Sequence, residues 1–315
     1  MSPLRREIHP LVCATYPLAL KKYLLGAKKV NMEASIFFDS YLPLAMRQAV
    51  EYAGKDGFVA SLPQLLKART TASYDNIIWS THFNPNSEEN LLLTPQGNRV
   101  VVTVHGGGIF GSPDRYEKLF RASTDRHSEY GFTGLFAAKI TQQEVHDLLE
   151  GKTPDGASIP VYPYEEFRQG INNLPRRYAI VTDFEIAKNS ECGYVSFDAL
   201  RDDPMVITRA GGAEAASVYL DKAQSRNNTQ KMGSWHPFQN IDTPNQAQTR
   251  VPNLAGNKAG AGSEDDDGHL HGYDTDYGMG GDCNIHNTSM INIARYVAVA
   301  PCDVSTSVRY LSFNS

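Results

Sequence analysis

The sequence predicts an α/β or α+β fold: a mixed sheet flanked by helices, with a helical N-terminal segment and a long polar loop near the C-terminus. Three observations predict it. Short apolar runs alternate with helical patterns between residues 74 and 224. The first 70 residues have mostly helical periodicity, and residues 224–290 are polar with little apolar periodicity. We therefore expect a helical segment at 1–70, packed on a mixed sheet domain at 71–315 that carries an insertion or covering loop at about 224–290.

Helical patterns account for most of the first 70 residues. The stretches are YPLALKKYLLGAKK, ASIFFDSYLPLAMRQAVEYAGKDG and SLPQLLKART. Pro43 interrupts the second stretch, and Ser61 fits the N-cap of the third, because a serine hydroxyl can accept a hydrogen bond from a free amide of the first helical turn. The segment is therefore predicted to enter the sheet domain as helices.

Strand-like runs begin at Tyr74. They are YDNIIWS, then NLLLT and NRVVVTV joined by the turn PQGN as a hairpin, followed by TGLFAAKI, RRYAIVTDF and DPMVITRAGG, and near the end ARYVAVAP and VSTSVRYLSF. Helices are predicted from Pro113, in TQQEVHDLLEGK with Thr141 and Glu144 as a capping box, and in AEAASVYLDKAQ. This alternation is typical of a sheet covered by helices.

The composition narrows the class of partner. The net charge is −5, so the chain has no basic character that would favour nucleic acid or anionic membranes. The apolar stretch LVCATYPLAL is about half as long as a membrane span and contains a proline. The four cysteines show no C-x-x-C spacing. We expect a soluble, cytoplasmic protein that binds neither nucleic acid nor membrane.

A histidine and three glycines follow the strand NRVVVTV. The stretch VHGGGIFGSPDRY closely resembles the H-G-G-G segment of the hormone-sensitive-lipase branch of α/β-hydrolases, over about 13 residues of the chain. The resemblance implies an oxyanion hole formed by the backbone N–H groups of Gly106 and Gly107, with His105 holding the loop. We therefore take His105 as a candidate catalytic residue, and Gly106, Gly107 and Gly108 as candidate anion-binding residues.

The second glycine turn departs from that family. In that family the nucleophilic serine lies in a G-x-S-x-G elbow. In the comparable stretch of this sequence, VITRAGGAEAA, Arg209 stands where the serine would be. The alternative is an anion site, in which Arg209, Gly211 and Gly212 bind a phosphate or carboxylate at the start of a helix. Neither glycine turn matches G-x-G-x-x-G or the P-loop. A third interpretation is that both are only turns where two elements pack closely.

A stretch rich in acidic residues and histidine lies at 262–286. His269 and His271, spaced H-x-H, would point to the same side of an extended chain, as two ligands of one metal ion do. The predicted metal ligands are His269, His271, Asp274, Asp276, Asp282 and His286. Zinc, iron or manganese would suit the mixed set, and calcium or magnesium the carboxylates alone. His271 and Asp276 are also candidate catalytic acid/base residues. The alternative is a solvated acidic loop.

Three functions remain open from the sequence. The leading hypothesis is a hydrolase-like enzyme that acts on a small anionic or ester-like molecule, with a divalent metal ion as the candidate cofactor. The second is a non-catalytic protein that binds a phosphate-bearing small molecule. The third is a structural or assembly protein, in which the long polar loop contacts other subunits of a homo-oligomer.

Overall fold

A mixed six-stranded sheet flanked by helices forms the centre of the protein, as the sequence predicts. The structure is a computed structural model, and it describes residues 32–39, 41–81, 83–122, 137–226, 230–236, 238–241, 245–254, 279–280 and 294–301. Within these ranges, no helix has both the length and the apolar character needed to span a membrane.

Helices and strands alternate along most of the described chain. The strands are β1 (Met32–Asp39), β2 (Phe58–Val59), β3 (Ser87–Leu93), β4 (Arg99–His105), β5 (Ala138–Lys139), β6 (Val161–Pro163), β7 (Tyr178–Asp183), β8 (Gly193–Ser196), β9 (Lys231–Trp235), β10 (Gln248–Arg250), β11 (Asn253–Leu254), β12 (Met279–Gly280) and β13 (Ala294–Pro301). The helices are α1 (Leu42–Ala53), α2 (Leu62–Thr71), α3 (Ile77–Ser80), α4 (Pro113–Arg121), α5 (Gln142–Leu149), α6 (Tyr164–Phe167), α7 (Phe184–Lys188), α8 (Phe197–Arg201), α9 (Pro204–Ala210) and α10 (Ala213–Arg226).

The strands form three sheets. The central sheet has the order β5-β10-β3-β4-β7-β6, in which β6 and β7 are parallel and the other neighbours are antiparallel. A three-stranded antiparallel sheet has the order β1-β13-β2. The remaining sheet has the order β11-β12-β9-β8, with β12 parallel to β9.

The hairpin of β3 and β4 is the middle of the central sheet and matches the prediction. It is antiparallel over its full length, with Glu88 opposite Val104 and Glu89 opposite Thr103. Successive side chains of a strand point to opposite faces, so Glu88 and Glu89 lie on opposite sides of the sheet. Both carboxylates are buried, because helices and loops cover both faces. Each therefore needs a partner inside the protein.

The helix ends with local capping signals also match the sequence. The Ser61 backbone N–H donates to Gln64 Oε1 at 2.8 Å at the start of α2. The Thr141 N–H donates to Glu144 Oε2 at 2.9 Å at the start of α5, which completes the predicted capping box. Helix α4 begins at Pro113, and α10 follows the second glycine turn. Such contacts span three residues, so the sequence alone specifies them.

The structure differs from the predicted helix at residues 32–39. These residues form β1, which pairs with β13 from Met32 opposite Pro301 to Asp39 opposite Ala294. Met32, Ala34 and Ile36 are buried at alternate positions, which is the period of a strand. The stretch YDNIIWS also differs from its predicted strand, because Ile77–Ser80 form a helical turn. Pairing with a distant strand decided the conformation of residues 32–39.

The stretch DPMVITRA is a helix, not the predicted strand. The Asp203 side chain caps it by accepting a hydrogen bond from the Val206 N–H at 2.9 Å, and Pro204 occupies its first turn. Its residues are apolar on nearly every side because the helix is buried among other elements. Arg209 therefore lies within a helix, and the strand-to-helix elbow expected around it does not form.

The polar stretch at 224–290 contains regular structure where the structure describes it. Helix α10 continues to Arg226, and strands β9, β10, β11 and β12 follow within the stretch. Strand β10 enters the central sheet between β3 and β5, although it is polar, because its partners there bury it. The stretch therefore contributes strands to two sheets.

Candidate functional site

The first glycine turn, residues 106–111, connects β4 to α4. Gly106 and Gly107 have φ values of +85° and +124°, which residues with a Cβ rarely adopt. Gly108 is needed for a different reason, because a Cβ there would lie 2.1 Å from Glu88 Oε1. The three glycines therefore let the backbone turn sharply and approach a buried carboxylate.

The acidic group at this turn is the side chain of Glu88. The Phe110 N–H donates to Glu88 Oε2 at 3.1 Å, the Ile109 N–H also bonds to this carboxylate, and Asn90 Nδ2 donates to Oε1 at 3.2 Å. Burial raises the pKa of Glu88, while these hydrogen bonds favour its charged form. The amides that contact Glu88 are those of Ile109 and Phe110, whereas the Gly106 N–H, a predicted oxyanion donor, donates to the Asn86 carbonyl at 2.8 Å.

His105 lies in the core next to this turn, with both ring nitrogens hydrogen-bonded. Nε2 donates to the Thr208 carbonyl at 3.0 Å, so Nδ1 accepts from the Ser87 hydroxyl at 2.8 Å. The Ser87 oxygen in turn accepts from the Leu62 N–H at 2.9 Å. Burial lowers the pKa of His105 to about 4. The ring is fully buried, so this arrangement offers no nitrogen to a substrate.

Arg209 is bound to Glu89, on the face of the sheet opposite to Glu88. Its Nε lies 2.5 Å from Glu89 Oε1 and its Nη2 lies 3.0 Å from Oε2, and both side chains are fully buried. This is the two-pronged geometry by which arginine recognises carboxylates. The arginine that was predicted to bind an external anion thus binds an internal one.

The second glycine turn ends helix α9. Gly211 has φ +87° and is the left-handed C-cap, and its N–H donates to the Thr208 carbonyl at 3.4 Å. The Gly212 N–H donates to the Ile207 carbonyl at 3.0 Å. The amides of Gly211 and Gly212 thus serve the helix end, rather than a ligand.

Sequence analysis missed the two glutamates that complete these contacts. Glu88 and Glu89 are consecutive in SEENLLL, at the start of a strand that was otherwise predicted from its apolar residues. The predicted strand NLLLT begins at Asn90, so both glutamates lay just before it, whereas the observed strand β3 begins at Ser87 and includes them. The structure brings the two glycine turns together through these carboxylates and the His105–Thr208 contact.

The predicted metal ligands lie outside the described residues. They are His269, His271, Asp274, Asp276, Asp282 and His286, so the predicted metal centre and the acid/base roles of His271 and Asp276 stay predictions. Among the residues that the structure does describe, no group of three or more His, Cys, Asp or Glu side chains could hold a metal ion.

A cleft of about 320 Å³ opens beside the first glycine turn. Five stretches of the chain form it: the one from the end of α1 into β2, single residues of α2, of the segment before β3 and of the glycine turn, and the two residues just before β7. Its lining residues are Val50, Ala53, Gly54, Lys55, Gly57, Phe58, Val59, Gln64, Asn86, Gly106, Arg176 and Arg177. A molecule from solution can approach the turn through this cleft.

The charged residues of the cleft differ in their partners. Arg177 is bound to Asp155 at 2.8 Å and to the Thr153 hydroxyl at 2.9 Å, and this pairing holds the pKa of Asp155 at about 2. Lys55 and Arg176 are exposed and form no ion pair within the described part of the chain. The Arg176 guanidinium lies 5.2 Å from the centre of the Phe58 ring. The cleft therefore presents two positive charges that no described carboxylate neutralises.

No protein-family model matches this chain, and no curated protein matches it either. A solved structure described as "Accommodation of massive sequence variation in Nanoarchaeota by the C-type lectin fold" is similar to it. The likeness covers 86% of this chain and 99% of that chain, with a TM-score of 0.57 and 20% sequence identity. At this identity the likeness shows the fold alone, the C-type lectin fold.

Proposed function

We propose that this protein is a non-catalytic binding protein for a small anionic molecule, with the central sheet as a rigid scaffold and the cleft beside the first glycine turn as the binding site. The observation that carries the proposal is the internal pairing of the predicted reactive groups. Glu88 accepts hydrogen bonds from amides of the turn, Glu89 forms an ion pair with Arg209, and both ring nitrogens of His105 are hydrogen-bonded. Groups held in this way support a fold, whereas the unpaired cations of the cleft can support binding.

The hydrolase hypothesis has less support from the same observations. An oxyanion hole needs amides that are free to meet the substrate, and it needs a nucleophile or a metal-bound water nearby. In the described turn, the Gly106 N–H, one of the two predicted donors, already donates to the Asn86 carbonyl at 2.8 Å, and the Ile109 and Phe110 amides contact Glu88. A hydrolase would therefore depend on His271 and Asp276 and on a different use of the turn.

The fold comparison is compatible with a binding role. The similar solved structure concerns massive sequence variation that the C-type lectin fold accommodates. A fold that tolerates sequence variation suits a protein in which different residues stabilise the fold and bind the ligand. We call the residues that stabilise the fold the frame. In this chain the internal pairs form the frame, and the cleft residues Lys55 and Arg176 lie outside it.

Two assays on the purified full-length chain test the proposal. Isothermal titration with a panel of small anions, namely inorganic phosphate, phenyl phosphate and benzoate, measures binding, and release of p-nitrophenol from short acyl esters, with and without added zinc or manganese, measures hydrolysis. We expect saturable binding of at least one anion and no turnover above the rate in buffer. Turnover that His271→Ala abolishes, or no binding of any anion, would overturn the proposal.

A further inference from the structure

The cleft has two cations and one aromatic ring, and their arrangement indicates which anion it takes. Resting on the proposed function, we infer that the cleft binds a phosphomonoester, with the phosphate at Lys55 and Arg176 and the organic group against Phe58. Lys55 belongs to the turn after α1, and Arg176 to the segment before β7. The two cations therefore approach the cleft from different elements, as expected for a group with several acceptor oxygens.

Glycines let the backbone pack closely beside the two cations of the cleft. A Cβ at Gly57 would lie 2.1 Å from the Val299 carbonyl oxygen, and one at Gly106 would lie 2.6 Å from the Arg176 carbonyl oxygen. Close packing of the backbone at both points excludes side chains, and Gly54 has a left-handed φ of +58°. The backbone next to Lys55 and Arg176 is therefore packed tightly against neighbouring segments, which fixes where these two residues leave the chain.

Arg176 and Arg177 have separate tasks, although they are adjacent. Arg177 forms an ion pair with Asp155. The Arg177 Nη2 also lies 3.4 Å from the Gly107 carbonyl oxygen, so this side chain stabilises the glycine turn. The Arg176 guanidinium packs against the Phe58 ring, and its positive charge remains available to a ligand in the cleft. A guanidinium that rests on an aromatic ring is oriented before a ligand arrives, which reduces the entropy lost on binding.

Phe58 and Gln64 complete the site. The Phe58 ring is half-buried and lines the cleft, so it offers an apolar surface to the organic part of a ligand. Gln64 uses its Oε1 to accept from Ser61, which leaves its amide Nε2 as a donor on the cleft wall. Two cations and a neutral donor fit the charge and the acceptor oxygens of a phosphate better than those of a single carboxylate.

Titration with phenyl phosphate tests this inference. The test variant is Lys55→Ala/Arg176→Ala, and the matched control is Lys67→Ala/Arg168→Ala, which removes the same two charge types from exposed positions that do not line the cleft. We expect the test variant to bind at least about tenfold more weakly, since it removes both charged groups that would donate hydrogen bonds to the phosphate. The control variant should bind like the unmodified protein, and Phe58→Leu should weaken phenyl phosphate more than inorganic phosphate.

The outcomes separate this inference from the proposed function. Equal affinity of the test and control variants would overturn the assignment to Lys55 and Arg176, while binding itself would keep the proposed function. Binding of benzoate in preference to phenyl phosphate would overturn the phosphate class alone. If the unmodified protein binds none of the anions, both proposals fall.

Discussion

Glu88 and Glu89 are consecutive residues of one strand, and the protein stabilises their buried side chains in two different ways. Glu88 faces the first glycine turn and receives hydrogen bonds from backbone amides and from Asn90. Glu89 faces helix α9 and receives a full positive charge from Arg209. The comparison teaches that two glycine turns with similar sequences can have unrelated tasks: the first approaches a carboxylate, and the second ends a helix.

The largest expected effect comes from removing the charge that faces Glu89. We expect Arg209→Met to lower the free energy of unfolding by about 3 to 5 kcal/mol, because it leaves Glu89 buried without a counter-charge. Urea denaturation followed by circular dichroism measures the effect. The double variant Glu89→Gln/Arg209→Met should recover much of the loss. If the loss of unfolding free energy in the double variant equals the sum of the losses in Arg209→Met and Glu89→Gln, the Arg209–Glu89 contact does not cause the destabilisation.

The next effect concerns His105, on the same face of the sheet as Glu89. Its folded pKa of about 4 is below the ordinary value of 6.5, so the unfolded chain takes up a proton before the folded one does. Stability should therefore fall as the pH decreases from about 6.5 to 4, by roughly 3 kcal/mol in total. In His105→Gln this contribution should be missing, as measured by denaturation at several pH values. The same slope in the variant and the unmodified protein would contradict the assignment.

A smaller effect is expected at the Glu88 side, where the close contact is steric. Gly108→Ala would place a Cβ 2.1 Å from Glu88 Oε1, so the turn or the carboxylate must move. We expect a loss of about 1 to 3 kcal/mol in the free energy of unfolding. Thermal and urea denaturation should show that Glu88→Ala/Gly108→Ala loses less than the two single variants together. Strict additivity would mean that the residues are not in contact.

The smallest effect is the pH dependence that Glu88 itself contributes. Burial raises its pKa, so the folded chain holds this proton more tightly than the unfolded chain. Stability from this group is present at low pH and is lost as the pH rises above about 4.5, with a slope of at most ~1.4 kcal/mol per pH unit. As the pH rises above about 4.5, the free energy of unfolding of the unmodified protein should fall relative to that of Glu88→Gln. A difference of the opposite sign would show that the amides outweigh burial.

Local signals made much of the fold predictable. The capping residues Ser61 and Thr141 act within three residues, and the hairpin of β3 and β4 joins neighbours in the sequence. Strand β1 was not predictable in this way, because its partner β13 begins at Ala294. The apolar run at 205–210 has no period that separates a buried helix from a buried strand, and only its cap at Asp203 distinguishes the two.

The candidate site was predictable in its chemistry but not in its partners. The sequence indicated that the glycine amides and Arg209 would bind negative charge. Arg209 does bind a carboxylate, that of Glu89, but the amides that contact Glu88 are those of Ile109 and Phe110, not those of the glycines. Their partners lie far along the chain: Glu88 is 22 residues from Phe110, and Glu89 is 120 residues from Arg209. The cleft joins five separate stretches of the chain, so Lys55 and Arg176 carried no local signal.

The central claim is that the amides of the first glycine turn serve Glu88 and that an external anion binds beside them, not to them. The most direct measurement is the ¹H–¹⁵N spectrum of the Ile109 and Phe110 amides. The account predicts that saturating phenyl phosphate leaves both signals essentially unchanged, whereas Glu88→Gln moves both. Large shifts of these two signals with phenyl phosphate, and none with Glu88→Gln, would contradict it.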